Sequence, residues 1–259
     1  MYTIERKAEI ISLLEKNNKV DVNVLAEMFG ASKETIRRDL RELEADGFVK
    51  RTHGGAVFTE SSKGVQEYPL LVRGVQRFEE KNIICKRAAQ YICDGDTIFI
   101  DNSSTTSNLL KYIDKSLRVT IVTNSIQLLI ESASLKNNNL LMICLGGIFR
   151  STNFSMYGSI SQANAKSFYP DKAFVSCKGI NPNTMLTDSS VYEVDTKRQM
   201  LSLSKEVYIL ADYTKFSEVG TVGLADFASV KTIITDEKAD VSKLKYLDRY
   251  DVTLDIAKK

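Results

Sequence analysis

The stretch from Ser32 to Ala56 limits the fold of this chain more than any other. Ser32 is a good N-cap, because its hydroxyl can accept from an unpaired N–H of a first helical turn. Gly47 suits the left-handed residue that stops a helix. Between them Ile36, Leu40 and Leu43 fall on one face at helical spacing. Lys33, Arg37 and Arg41 repeat every four residues on another face, with Arg38 beside them. Past the stop, Phe48–Thr52 carries strand-forming residues, His53-Gly54-Gly55 makes a turn and Ala56-Val57-Phe58 returns, the pattern of a hairpin. A helix followed by a basic hairpin is the layout of a winged helix-turn-helix. Its helix enters the major groove and its wing lies on the flanking backbone.

Upstream residues supply the rest of that motif. Thr3 can cap a helix with Ile4, Ala8, Ile11 and Leu14 along one stripe, broadened by Ile10 and Leu13 and ended by Asn17-Asn18. Val20-Asp21 reads as a short connection, Val22–Phe29 as a second short helix, and Gly30-Ala31 as a tight turn into Ser32. Residues 1–58 hold ten Lys/Arg and ten Asp/Glu, so bulk charge carries no argument. Segregation does: Lys33, Arg37, Arg38, Arg41, Lys50 and Arg51 gather near the expected DNA face, while Glu5, Glu9, Glu15, Asp21 and Glu27 lie earlier. Low net charge implies modest non-specific affinity, so specific binding calls for a dimer. His53 is the only histidine, which excludes a histidine metal cluster, and it has no neighbouring nucleophile to serve as a catalytic base.

Ile36-Arg37-Arg38-Asp39-Leu40, followed by Leu43, Gly47, Arg51 and His53-Gly54-Gly55-Ala56, resembles the N-terminal signature of the DeoR family of bacterial transcriptional regulators. The resemblance implies that Ser32, Lys33, Thr35, Arg37, Arg38 and Arg41 contact the groove and backbone. It gives Arg51, His53 and Gly54 to the wing. Asp39 is expected to orient an arginine, since a carboxylate near phosphate is repelled.

Thr59–Gly64 is polar, small and aperiodic, and Tyr68-Pro69 disfavours helix, so 59–72 reads as a linker between a DNA-binding domain at 1–58 and a second domain at 73–259. Glu79 begins a helical pattern. After Gly95 the rhythm becomes strand, loop, helix, repeated: Thr97–Ile100, Arg118–Thr123, Leu140–Leu145, Ala173–Cys177, Val207–Leu210, Thr232–Ile234 and Val252–Leu254 are apolar runs. Such runs suit a parallel sheet covered on both faces, hence a doubly wound α/β domain. No stretch is long and apolar enough to span a membrane, and Glu5, Arg6, Lys7 and Glu9 interrupt any signal-peptide core. Cys85, Cys93, Cys144 and Cys177 are scattered without metal-ligand spacing, as reduced thiols of a cytoplasmic protein would be.

Ligands of open parallel sheets gather at the carboxyl ends of the strands. The tips here are Asp101-Asn102-Ser103-Ser104-Thr105-Thr106, Thr123-Asn124-Ser125, Gly146-Gly147 with Arg150, Lys178-Gly179, Asp212 with Lys215, and Thr235-Asp236. Hydroxyls and unpaired N–H groups near helix starts hold a phosphate, Arg150, Lys178 or Lys215 can add charge, and Asp101 and Asp212 can accept from sugar hydroxyls. The expected ligand is a small phosphorylated sugar or polyol, with no other cofactor and no metal. The order of these tips also resembles the DeoR effector domain. By that resemblance the domain is ribose-5-phosphate-isomerase-like and senses phosphorylated sugars. Ser103 stands where the family commonly has glycine, and Lys178 where a small or acidic residue is frequent. The resemblance implies a regulator of a sugar or sugar-alcohol operon, a repressor released by its effector, acting as a homodimer or higher homo-oligomer on double-stranded operator DNA. The alternative is a phosphosugar isomerase with an accessory helical domain. It lacks a clear acidic catalytic stretch, and a sensor needs no base.

Overall fold

The structure, a computed structural model, describes residues 3–45, 49–58 and 69–259. The chain divides into two units, Met1–Gln76 and Arg77–Lys259.

The first unit contains α1 (Thr3–Asn17), β1 (Lys19–Asp21), α2 (Val22–Phe29), α3 (Lys33–Ala45), β2 (Val49–Arg51), β3 (Gly55–Phe58) and α4 (Leu70–Val75). The apolar stripes of its helices meet in one core that includes Ile10, Leu14, Leu25, Ile36, Leu40 and Leu43. Gly30 stops α2 in the left-handed conformation at φ 57°. Ser32 caps α3 as its hydroxyl requires, Oγ accepting from the Thr35 N–H at 3.1 Å.

Three features differ from the sequence reading. Val20-Asp21, expected as a connection, lies in β1, which pairs antiparallel with β3 to give the order β1-β3-β2. Three residues are too few to show a period, and this strand exists because the wing lies beside it. Second, Gly55 is there for contact as well as for turning: a Cβ at this position would stand 1.8 Å from the Val20 carbonyl oxygen. Third, Leu70–Val75 forms α4, which packs on α1 and buries Val72 in the core of the first unit. The expected stop at Gly47, and the expected linker as far as Tyr68, lie outside the described residues.

The second unit runs α5 (Phe78–Ala89), β4 (Thr97–Ile100), β5 (Val119–Thr123), α6 (Ile126–Leu135), β6 (Leu140–Cys144), β7 (Ile148–Arg150), β8 (Ser155–Tyr157), α7 (Ser159–Ala165) and β9 (Lys172–Val175). It continues with β10 (Gly179–Asn181), β11 (Met185–Asp188), α8 (Val194–Leu203), β12 (Glu206–Leu210), β13 (Val222–Ala225), β14 (Thr232–Asp236) and β15 (Thr253–Ala257). Seven parallel strands form the central sheet in the order β15-β14-β12-β9-β4-β5-β6. Side chains alternate between two buried layers. Ile98 and Ile100 join Ile84 and Leu128 on one face, while Phe99 joins Ala165 and Met200 on the other. That is why the strands read as unbroken apolar runs. Two small antiparallel sheets, β10-β11-β13 and β7-β8, were not legible, because their strands are only three or four residues long and those of the first carry Gly, Asn and Thr.

Chain order fixes where the crevice falls. From β4 the sheet grows outward through β5 to β6; the chain then returns to lay β9 on the other side of β4 and grows the opposite way to β15. The reversal lies between β4 and β9, and the crevice of a doubly wound sheet opens at the carboxyl ends of such a pair.

Candidate nucleic-acid interface and effector cup

On α3, Ser32, Lys33, Arg37, Arg38 and Arg41 are exposed and Thr35 is half-buried, while Ile36, Asp39, Leu40 and Leu43 are buried. Glu34 holds this cationic face in place: Arg41 donates to it and Arg37 Nη1 lies 3.7 Å from it. Exposed pairs of this kind are weak, so phosphates can take over the guanidiniums. Asp39 orients an arginine as expected, and the arginine is Arg6 of α1. The pair is bidentate at 2.5 and 3.2 Å, with both groups buried, and the hydrogen bond to Asp39 raises the Arg6 pKa. The Arg51 N–H donates to Glu44 Oε1 at 2.8 Å, which fastens the wing to α3. His53 and Gly54 are exposed at the wing tip, closed by the Thr52 N–H to Gly55 carbonyl bond at 2.9 Å. All nine residues expected at the DNA face thus lie in one unit, on one helix and the hairpin tied to it.

In the second unit the tip of β4 is folded on itself. Asp101 Oδ1 accepts from the Ser103 N–H at 3.2 Å and from Thr106 Oγ1 at 2.7 Å. Its Oδ2 accepts from the Ser176 N–H at 3.2 Å and lies 3.0 Å from Lys197 Nζ. Both oxygens of Asp101 are therefore engaged by the protein, and the carboxylate binds the β4 tip to the β9 tip. Lys197, from α8, also donates to Asp188 Oδ2 at 2.7 Å and to the Ser176 carbonyl at 3.1 Å. Burial pulls the Lys197 pKa down, but Asp101 and Asp188 outweigh it and the net direction is up. Burial likewise pushes Asp188 up, and Lys197 reverses it to below the ordinary carboxylate range.

Ser103, Ser104, Thr105 and Thr106 are all buried. No hydrogen bond links the N–H groups of Ser104 and Thr105 to another described residue. Lys81 of α5 donates to Ser104 Oγ at 3.0 Å. The same lysine acts electrostatically on Asp212, as do Lys215 and Arg77. Burial raises the Asp212 carboxyl pKa, yet Lys215, the Thr214 hydroxyl, Arg77 and Lys81 hold it below the ordinary value. Asp212 Oδ2 is buried with no hydrogen-bond partner among the described residues. Lys215 makes no ion pair or side-chain hydrogen bond with another described residue, and burial lowers its pKa. Among the described residues, two unpaired N–H groups, two lysines and one half-free carboxylate thus lie at the carboxyl edge of the sheet, by β4 and, across β9, by β12.

The other expected residues take different stations. Thr123 Oγ1 donates to the Ile100 carbonyl at 2.6 Å, and Ser125 caps α6. Asn124 reaches Asn102 at 3.3 Å and so joins the β5 tip to the β4 tip. Gly146 and Gly147 turn with φ of 66° and 118°, and a Cβ at Gly147 would stand 2.4 Å from Ser161 Oγ. Arg150 lies 3.3 Å from Glu193 and 3.2 Å from Ser190. Lys178 pairs with Glu218, and Gly179 is packed so tightly that a Cβ would stand 2.0 Å from the Glu218 carbonyl oxygen. The sequence reading missed Arg77, Lys81, Asp188, Glu193 and Lys197. None follows a strand of the main sheet; each arrives from a helix, its approach or the small sheets, so tip-by-tip reading had no signal for them.

A DeoR-like helix-turn-helix domain matches residues 6–62, and the DeoR C terminal sensor domain matches residues 76–237. The chain belongs to the DeoR family of transcriptional regulators. The HTH-type transcriptional regulator GolR of Listeria innocua is 33% identical over 99% of this chain and 98% of that protein. The glycerol-3-phosphate regulon repressor of Escherichia coli is 28% identical over 99% and 100%. The L-fucose operon activator of Haemophilus influenzae is 28% identical over 94% and 96%. Among solved structures, ribose 5-phosphate isomerase A from Methanocaldococcus jannaschii aligns over 52% of this chain and 53% of that one, with a TM-score of 0.39 and 15% identity. This DeoR-family chain is a DNA-binding regulator of transcription. Among the described residues no helix is long and apolar enough to cross a membrane.

Proposed function

We propose that this regulator represses an operon of sugar or sugar-alcohol use in the cytoplasm, and that a phosphorylated sugar entering the β4–β12 cup releases it from its operator. One observation carries the effector class: the unpaired N–H groups of Ser104 and Thr105 share an edge with Lys81, Lys215 and the open oxygen of Asp212. Backbone donors and ammonium groups suit a phosphoryl group, while a buried carboxylate oxygen suits a hydroxyl that must donate. A ligand carrying both groups satisfies the site; a free sugar or a bare phosphate satisfies half of it.

The names of two relatives, a glycerol-3-phosphate regulon repressor and an L-fucose operon activator, support a link to sugar or sugar-alcohol use, and between them they carry both signs of regulation. Repression is the reading adopted here, because an effector that favours a DNA-incompetent state gives induction directly. Two copies acting as a dimer would place two α3 helices on half-sites about one helical turn apart, or a multiple of it.

The test is a thermal-shift screen of phosphorylated sugars and polyols against the full chain, with each unphosphorylated parent as control. A bound ligand raises the melting temperature by mass action. A shift with a phosphorylated compound and none with its parent is expected. Equal shifts with both would remove the phosphoryl group from the reading.

A further inference from the structure

β6 has the composition of a central strand and the exposure of an edge. Leu140-Leu141-Met142-Ile143-Cys144 carries no charge, yet none of the five is buried and Leu141 is 60% exposed. In the same sheet β5 and β4 are buried along most of their length. β6 ends that sheet. The Leu145 N–H donates to the Thr123 carbonyl at 2.9 Å and the Asn139 carbonyl accepts from the Val119 N–H at 3.0 Å, so the odd-numbered residues face β5. The N–H and C=O groups of Met142 and Cys144 therefore face outward, and none of them bonds another described residue. The opposite edge is guarded. There β15 carries Asp255, held by Arg87 Nε at 2.7 Å and by the Tyr91 hydroxyl at 2.5 Å, and charge on an edge strand discourages pairing. β6 has no such guard. α6, which packs on β6, leaves Ile130 exposed, and Ile148 and Phe149 just past the strand are exposed too.

We propose that β6 is the seam of a homodimer, where it pairs antiparallel with β6 of a second copy of this chain. An open row of N–H and C=O groups is satisfied by another strand. An edge free of charge sets no like charges together when two copies of it meet. A two-fold axis at Met142 fits the outward groups. The Met142 N–H of each copy donates to the Met142 carbonyl of the other, and the Cys144 N–H of each to the Leu140 carbonyl of the other. Leu141 then lies across from Ile143 of the second copy. A specific interface covers about 800 Å² on each partner, more than one short strand offers, and Ile130, Ile148 and Phe149 supply apolar surface beside it. The seam lies wholly in the second unit. It gives a surface to the dimer that two half-sites call for, and it does not depend on the effector reading.

The experiment is sedimentation equilibrium on the full chain, without DNA or sugar phosphate, with a circular-dichroism spectrum of each protein. Wild type is expected to be a dimer or a multiple of one. Leu141→Lys sets like charges near each other across the seam, because position 141 meets its own copy on the diagonal. Met142→Pro removes a donor that faces away from β5, and an edge strand accepts proline at such a place. Each variant is expected to keep the wild-type spectrum and to raise the dimer dissociation constant about tenfold or more. An equimolar mixture of Leu141→Lys and Leu141→Glu is expected to regain the wild-type mass, which a damaged fold would not do. Wild-type association in either folded variant, or a mixture no heavier than its parts, would overturn the proposal. A wild-type chain that stays monomeric up to about 100 μM would give the edge to some other protein and overturn it as well.

Discussion

At the scale of single residues, the informative groups are the buried charges. Arg6 and Asp39 form an ion pair in the core of the DNA-binding unit. Removing one partner leaves the other charged and dry, so Arg6→Ala or Asp39→Ala is expected to cost about 3–5 kcal/mol. Replacing both with Met and Leu is expected to cost far less, and urea denaturation of the four proteins checks it. Arg37→Ala, on an exposed face, is expected to lower operator affinity with stability changed by no more than about 0.5 kcal/mol; unchanged DNA binding in a gel-shift titration would take Arg37 off the reading face. The thiols divide the same way: burial raises Cys85 and Cys177 to about 12, whereas Cys93 is exposed. At pH 8 iodoacetamide is expected to label Cys93 in the native protein, and Cys85 and Cys177 only after unfolding, as peptide mapping would show. The exposure of Arg37, Arg38 and Arg41 was legible in the sequence, because it follows from helical spacing alone. The Arg6–Asp39 pair was half legible: repulsion from phosphate gave Asp39 an arginine, but a partner thirty-three positions away has no local mark.

At the scale of elements, the Lys197 cluster joins α8 to three strand ends. Asp101 follows β4, Ser176 follows β9 and Asp188 ends β11. The Asp188 carboxyl is depressed in the fold, so its contribution is present above the unfolded carboxylate pKa and lost as pH falls through its folded value. Lys197 is raised, so its contribution is present below the unfolded lysine pKa and lost as pH rises through its folded one. Lys197→Met leaves burial to raise the Asp188 carboxyl unopposed by that ammonium, so it is expected to destabilise the second unit at neutral pH, with the loss shrinking on acidification as Asp188 takes up a proton. Denaturant midpoints at pH 7 and pH 4 measure both. Strand existence was legible wherever a run was apolar on both faces, as at Thr97–Ile100 and Val119–Thr123. It failed at β1, β7, β8, β10, β11 and β13, which owe their form to a neighbour rather than to their own composition.

At the scale of the whole chain, two units with separate cores predict two unfolding transitions in calorimetry. A sugar phosphate is expected to raise only the one that belongs to Arg77–Lys259; a ligand that moved both together would show that the units melt as one. The division into a reading end and a sensing end was legible from composition and rhythm. The joint was not, because Leu70–Val75 carries too few residues to show a stripe and its allegiance is decided by Val72 finding the core of the first unit.

The reversal between β4 and β9 also sets an order of events during synthesis. The reading head has all its pieces once residue 76 has been made. The cup waits for segments as far along as Lys197 and Asp212, since Asp101 has no ammonium partner until α8 exists. Contacts so distant in sequence close slowly. A growing chain, or a message cut short in its middle, thus yields a fragment with the helix-turn-helix and without the crevice proposed to hold the effector.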